Sequence, residues 1–225
     1  MRLFHGTNQI IIQPSIDSGN PHNDYGYGFY TTQHENLAKE WACKSNRYGI
    51  VNEYDISLEN LHVLKLEDPF TMLNWLAILM KHRVFTSRVP IAMLAKDYLL
   101  QHFLPDLSQV DVIIGFRADD SYYSFAEDFI TNQISLETLS EAMHLGELGL
   151  QVCLKSKKSL QTLEFQDAYP VDRHNYFPKF VSRDETARLE YQNIRRNQTL
   201  SGLYIRDILR EEIKNDDVRI PKIRF

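Results

Sequence analysis

The sequence predicts an α+β fold: a split β-sheet with interposed helices, followed by a helical C-terminal tail. Three observations carry that expectation. Short strand-like segments alternate with helical periodicities across residues 1–170. Residues 110–116, VDVIIGF, form the most apolar short run and read as a central strand. Beyond residue 170 the chain turns to charge-rich helical patterns at 183–196 and 200–214. The division expected is therefore an α+β domain over 1–170 and a helical extension over 171–225. The extension is expected to pack beside the domain and to serve assembly, so that truncation after Pro170 leaves the domain folded.

The elements follow in order. Residues 2–5 read as a short buried strand. Residues 8–27 contain Pro14, Gly19, Pro21 and several Asn and Asp, so they are mostly loop, with Ile10, Ile11 and Ile12 pinning it to the core. Residues 28–32 form the second strand, and Thr32 or Gln33 can cap the helix behind it. Leu37, Ala38, Trp41 and Ala42 give that helix one apolar face. Residues 48–57 and 61–66 read as extended. On the 48–57 strand Asn52 and Tyr54 share a face. Pro69 and Pro90 each open a helix, the first with a wide apolar face built on Phe70, Leu73, Trp75, Leu76, Leu79 and Met80. Their Trp75/Leu79 and Tyr98 stripes are core. After the 110–116 strand come a helix at 122–130 and a helix from the Ser135 cap to His144, with Glu137 in its first turn. Residues 150–155 alternate as a strand, 159–163 make one helical turn, and 164–168 are extended.

Composition narrows the function classes. The apolar content, 43%, suffices for one substantial core, and no run approaches the roughly 20 apolar residues of a membrane span. A net charge of −5 argues against a chain built to coat nucleic acid. Cys43 and Cys153 fit no metal spacing and read as free thiols in a reducing cytoplasm. No signal peptide is expected from the polar residues of the first fourteen positions.

Two segments carry chemistry. In Leu3-Phe4-His5-Gly6-Thr7 an apolar strand ends in a histidine followed by glycine. A glycine there lets a ligand approach the backbone, whose N–H and C=O can pair with a carboxamide. In residues 24–32, DYGYGFYTT, Phe29 and Tyr30 fall on opposite strand faces, and a tyrosine ring can stack on a flat heteroaromatic ligand. Asn23 and Asp24 either make a turn or touch the ligand. Asp119 and Asp120 follow the apolar strand; such a pair more often caps a helix than forms a metal site or an acid–base pair.

Together these segments raise a resemblance. LFHGT, a loop of about twenty residues, then YGYGFYTT and a helix beginning HENLAKEWA, resemble the ADP-ribosyltransferase fold of the diphtheria-toxin and poly-ADP-ribose-polymerase branch. That branch is marked by His, Tyr and usually Glu on three strands. The downstream segments GIVNEYDIS, VDVIIGFRADD and LQVCLKSKKSLQTLEF look like a bacterial toxin-like family within that fold, whose members are often encoded beside a small antitoxin protein. The resemblance spans about residues 1–168. It implies NAD+ as substrate, no metal, and transfer of ADP-ribose to an acceptor that is a protein, a nucleic acid, a small molecule or water. His5 would hold the adenosine ribose, Gly6 the carboxamide, Tyr30 the nicotinamide ring and Gln151 the nicotinamide ribose. The implied NAD-binding set is His5, Gly6, Thr7, Asp24, Gly28, Phe29 and Tyr30, and the catalytic set His5, Tyr30 and Gln151. The third position departs from the pattern: Gln151 stands where Glu is usual. Gln can accept a ribose hydroxyl but offers no charge and no base. Glu147, four residues earlier, is the alternative to Gln151 at the third position, and Asp119 and Glu147 are the carboxylates expected near the acceptor side or in compensation for the missing charge. A pocket that binds NAD+ or ADP-ribose without turnover is the alternative, and a structural partner protein a third.

Overall fold

The computed structural model describes residues 1–225 apart from Ser18, Asp119, Leu148, Pro221 and 223–225, and only the backbone of Asp120 and Glu147. Among the described residues, seven strands form one mixed sheet in the order β4-β5-β6-β2-β1-β3-β7, with eight α-helices around it. The strands are β1 Arg2–Thr7, β2 Phe29–Thr32, β3 Gly49–Ile56, β4 Val63–Lys65, β5 Val112–Phe116, β6 Leu150–Leu154 and β7 Leu163–Val171. The helices are α1 Glu35–Cys43, α2 Met72–His82, α3 Pro90–His102, α4 Asp120–Ile130, α5 Leu136–Ala142, α6 Lys157–Gln161, α7 Arg173–Asn197 and α8 Ile205–Arg210. β4 and β5 run parallel; every other neighbouring pair is antiparallel.

The join in the middle of the sheet is thin. β1 pairs with β3 along its whole length, from Arg2 opposite Asp55 to Thr7 opposite Ile50. With β2 it pairs only at Phe4 opposite Thr32. β2 pairs throughout with β6, from Phe29 opposite Leu154 to Thr32 opposite Gln151. Beyond Phe4, then, β1 and β2 diverge, and the edge of β1 that faces β2 has no ladder.

Local sequence accounts for most elements. α2 is buried from Met72 to Met80, with Asn74 satisfied there by the Phe103 carbonyl, as a helix whose apolar residues run around its axis must be. It starts after Thr71, two residues beyond Pro69, where Thr71 and Asn74 form a reciprocal capping box. Pro90 occupies the first turn of α3, and Ser135 Oγ accepts the Thr138 N–H at the start of α5. All five residues of β5 are buried; β5 lies second from the edge, between β4 and β6, not at the sheet centre. Of the three isoleucines expected to pin the loop, only Ile11 packs inward. Ile10 and Ile12 are 57% and 63% exposed.

The main core lies between α2, α3, α4 and α5 around Trp75, Phe103, Phe125 and Phe129. Residues 171–225 share it. Ala187, Tyr191, Leu203, Ile205, Ile208, Ile213 and Ile220 are buried in the same cluster, and the Tyr191 ring stacks on Phe125 at 3.9 Å. β7, ending at Val171, pairs along β3, so the sheet itself crosses residue 170. The second charge-rich pattern is helical only over Ile205–Arg210. A smaller cluster of Leu3, Phe29, Tyr54, Ile114 and Val152 packs elsewhere on the sheet. A third, with Phe4, Ala38, Ala42 and Val51, lies under α1.

Candidate functional site

A cavity of about 480 Å³ opens where β1 and β2 part, within the range of about 300–1,000 Å³ usual for small-molecule sites. His5, Gly6 and Thr7 line it from β1, Phe29 and Tyr30 from β2, Gly28 from the turn before β2, Gln151 from β6, and Asp24 from the 8–28 loop. Every residue of the NAD-binding and catalytic sets expected from sequence therefore lines one cavity. Asp119 lies outside the described residues. Glu147 ends the short 3-10 turn Leu145–Glu147, and its side chain likewise lies outside what is described.

His5 Nδ1 is 2.7 Å from the Tyr30 carbonyl oxygen. A carbonyl only accepts, so Nδ1 carries the proton and Nε2 is left as an acceptor. The imidazole leans on Phe29, with ring centres 4.5 Å apart. Burial lowers the His5 pKa, against the Tyr30 hydrogen bond that raises it. Tyr30 is locked by two bonds: its hydroxyl donates to the Gly26 carbonyl at 2.6 Å and accepts the Tyr25 N–H at 3.0 Å. Burial pushes its pKa far up, so the phenol stays neutral.

Gln151 is 3% exposed and its amide is fixed. Nε2 donates to Asp24 Oδ2 at 2.9 Å and to the Phe116 carbonyl at 3.2 Å. Two acceptors on one side identify that atom as nitrogen and leave Oε1 as the accepting end. Asp24 is itself buried, and its Oδ2 also accepts the Ala118 N–H at 2.8 Å. Its Oδ1 lies 3.8 Å from the Arg83 guanidinium. Burial raises the Asp24 pKa, and Ala118, Arg83, Gln151 and Arg117 pull it back, in that order.

The loop that carries Asp24 is tied to both sides of the split. Asn52 Oδ1 accepts the Ile11 N–H at 2.8 Å, and the Tyr54 hydroxyl donates to the Ile11 carbonyl at 2.5 Å, which shows which way that face of β3 points. On the other side Tyr25 donates to the Phe116 carbonyl at 2.6 Å, and Lys155 holds the Tyr25 and Tyr27 carbonyls.

The glycines have a reason the sequence did not reveal. A Cβ on Gly6 would lie 2.0 Å from the Ala38 carbonyl oxygen, so Gly6 is where the α1 backbone crosses β1. A Cβ on Gly28 would meet Cys153 Sγ at 2.5 Å. Both glycines let protein pack on protein while they line the cavity.

Sequence reasoning missed the cationic wall. Lys44, Arg83 and Arg117 line the cavity together with Trp41. The Arg117 guanidinium carbon lies over the Trp41 ring, 3.5 Å from its centre, and that of Arg83 lies 4.5 Å from the Tyr123 ring centre. Trp41 and Lys44 are one helical turn apart, which was the available signal; Arg83 and Arg117 are single arginines at element ends and gave none. Among the described residues no group of three or more His, Cys, Asp or Glu is placed to hold a metal ion. No described helix is long and apolar enough to cross a membrane. Cys43 and Cys153 are both free and buried, and burial raises the Cys153 pKa to about 12.

Residues 1–165 match the model of DUF3990, a family described as proteins of unknown function, and the chain belongs to that family. Comparison with curated proteins finds no match, and neither does comparison with solved structures.

Proposed function

We propose that this member of the DUF3990 family is an NAD+-dependent mono-ADP-ribosyltransferase of the ADP-ribosyltransferase fold. The observation that carries the reading is the meeting of His5, Tyr30 and Gln151, from three different strands, around one cavity at the split of a sheet. His5 Nε2 is an acceptor suited to an adenosine ribose hydroxyl. The open edge of β1 beyond Phe4 offers backbone groups to the nicotinamide carboxamide, and the immobilised Tyr30 ring offers a stacking surface. Gln151 Oε1, the accepting end of the amide, suits a hydroxyl of the nicotinamide ribose. Lys44, Arg83 and Arg117 line the same cavity, and positive charge of that kind suits a diphosphate. The acceptor is a protein, a nucleic acid, a small molecule or water, and action in the cytoplasm as the toxin of a toxin–antitoxin pair is part of the same proposal. One observation favours a second reading, a pocket that holds NAD+ without turnover: the third strand presents a neutral amide, Gln151.

The test is direct. A ligand that binds only the folded chain adds about 2.7 kcal/mol of stability at a hundredfold excess over its dissociation constant. Millimolar NAD+ is therefore expected to raise the melting temperature, and His5→Ala and Tyr30→Ala to remove the rise. Labelled NAD+ incubated with the chain and cell lysate is expected to release nicotinamide and to mark one acceptor class. Binding without nicotinamide release selects the second reading; a flat melting curve with flat calorimetry ends both.

A further inference from the structure

The sheet split holds a carboxylate that the three-strand pattern does not include. Asp24 comes from the loop, not from a strand, and is buried against Gln151 with Oδ2 at 2.9 Å from the amide nitrogen. The contact is enforced from the other side as well, because the same oxygen accepts the Ala118 N–H. Its second oxygen, Oδ1, makes no hydrogen bond among the described residues and has the Arg83 guanidinium at 3.8 Å. Asp24 lines the cavity beside Gln151. Burying an ionised carboxylate is costly, and burial raises the Asp24 pKa; a backbone N–H, an amide and two guanidinium groups oppose that rise.

We infer that Asp24 supplies the negative charge that Gln151 lacks, so that Asp24 and Gln151 together do the work of a single glutamate. The inference rests on the ADP-ribosyltransferase reading and deepens it. In the step concerned, the bond between ribose C1′ and the nicotinamide nitrogen breaks and its electron pair goes to that nitrogen, so nicotinamide leaves neutral. Positive charge develops on the ribose. An acceptor O–H or N–H then bonds to C1′ and releases its proton to water. Gln151 Oε1 orients the ribose hydroxyl. The Asp24 carboxylate polarises the Gln151 amide and places a fixed charge on the wall facing the developing cation, in a site that need not reorganise to respond.

The experiment is a charge transfer between the two positions in the full chain. Nicotinamide release, NAD+ affinity and melting temperature are measured for wild type, Asp24→Asn, and the double variant Asp24→Asn with Gln151→Glu. Asp24→Asn is expected to lose about 10²–10³-fold in kcat, with NAD+ affinity changed far less. The double variant moves the charge across the same contact and is expected to recover most of the loss. A purely structural role for Asp24 predicts falling melting temperature and affinity with no such recovery. Full turnover in Asp24→Asn overturns the inference and leaves the transferase reading standing. If Asp24→Asn does not fold, the double variant decides alone: turnover within about tenfold of wild type supports the inference, and a folded, NAD+-binding double variant without turnover overturns it. Wild type that neither binds NAD+ nor releases nicotinamide brings down the functional reading, and this inference with it.

Discussion

At position 5 the protein holds an imidazole that its surroundings keep neutral, and this has a consequence that titration can read. Burial sets the His5 pKa below 6.5. Neutral His5 presents Nε2 as an acceptor; protonated His5 presents a second donor. NAD+ affinity is therefore expected to be level above pH about 6.5 and to weaken as pH falls through the lowered pKa of His5. His5→Gln, which keeps an acceptor and cannot titrate, should show a shallower fall. Calorimetric titration at several pH values checks this, and affinity that strengthens toward acid would refute it. The sign for folding is the same. The unfolded chain takes up the proton first, near 6.5, so stability is complete above that pH and is lost as pH falls through the folded-state value. His82, lowered to about 4 chiefly by burial, adds to the loss across the same acid window.

Among the elements, α1 is the one on which the cavity depends, because it crosses β1 at Gly6 with almost no clearance. Gly6→Ala places a methyl group 2.0 Å from the Ala38 carbonyl oxygen, and neither partner is a flexible side chain. The substitution is expected to cost about 1–3 kcal/mol or more as an overpacked contact. It should also weaken NAD+ binding, because α1 carries Trp41 and the chain just past its end carries Lys44 into the cavity wall. Denaturant melts with calorimetry test it; an unshifted midpoint would show that the helix can move aside freely. The example also marks how far the sequence could be read. β1, β2 and α1 were legible because their signals are local: an apolar run, a glycine-punctuated strand, an apolar face at helical spacing. That His5, Tyr30 and Gln151 line one cavity was expected from the resemblance. The contact of Asp24 with Gln151 was not, because 127 positions separate the two and a loop aspartate carries no periodicity. Arg83 and Arg117 were missed for the same reason. The role of Gly6 was seen from the ligand side only, since nothing in LFHGT tells which backbone will lie against it.

For the whole molecule the question is what residues 171–225 hold up. Their charge-rich pattern suggested an adjunct, because a 25-residue helix that buries Ala187 and Tyr191 shows little apolar stripe. Yet Tyr191, Leu203, Ile205, Ile208, Ile213 and Ile220 are all buried in the main core. At about 1.5–3 kcal/mol for each large apolar side chain, that burial is comparable to the entire stability of a typical domain, about 5–15 kcal/mol. Truncation after Pro170 is therefore expected to leave a chain with helical far-ultraviolet signal, weak near-ultraviolet signal and strong hydrophobic-dye binding. A cooperative melt close to that of the full chain would show that the first 170 residues stand alone.

The single rung between β1 and β2 bears, finally, on when the protein becomes able to act. A ribosome delivers the chain from its N-terminus, and pairings between distant segments must wait for the later one. β2 is made early, but apart from its one rung to β1 its strand partner is β6, and Asp24 has no Gln151 to meet until residue 151 has been made. A chain not yet grown to residue 151 thus holds His5 and Tyr30 without Gln151 and without the strand that pairs along β2. The cavity is complete only once β6 has been made, so on the proposed transferase reading a shorter nascent polypeptide has no turnover.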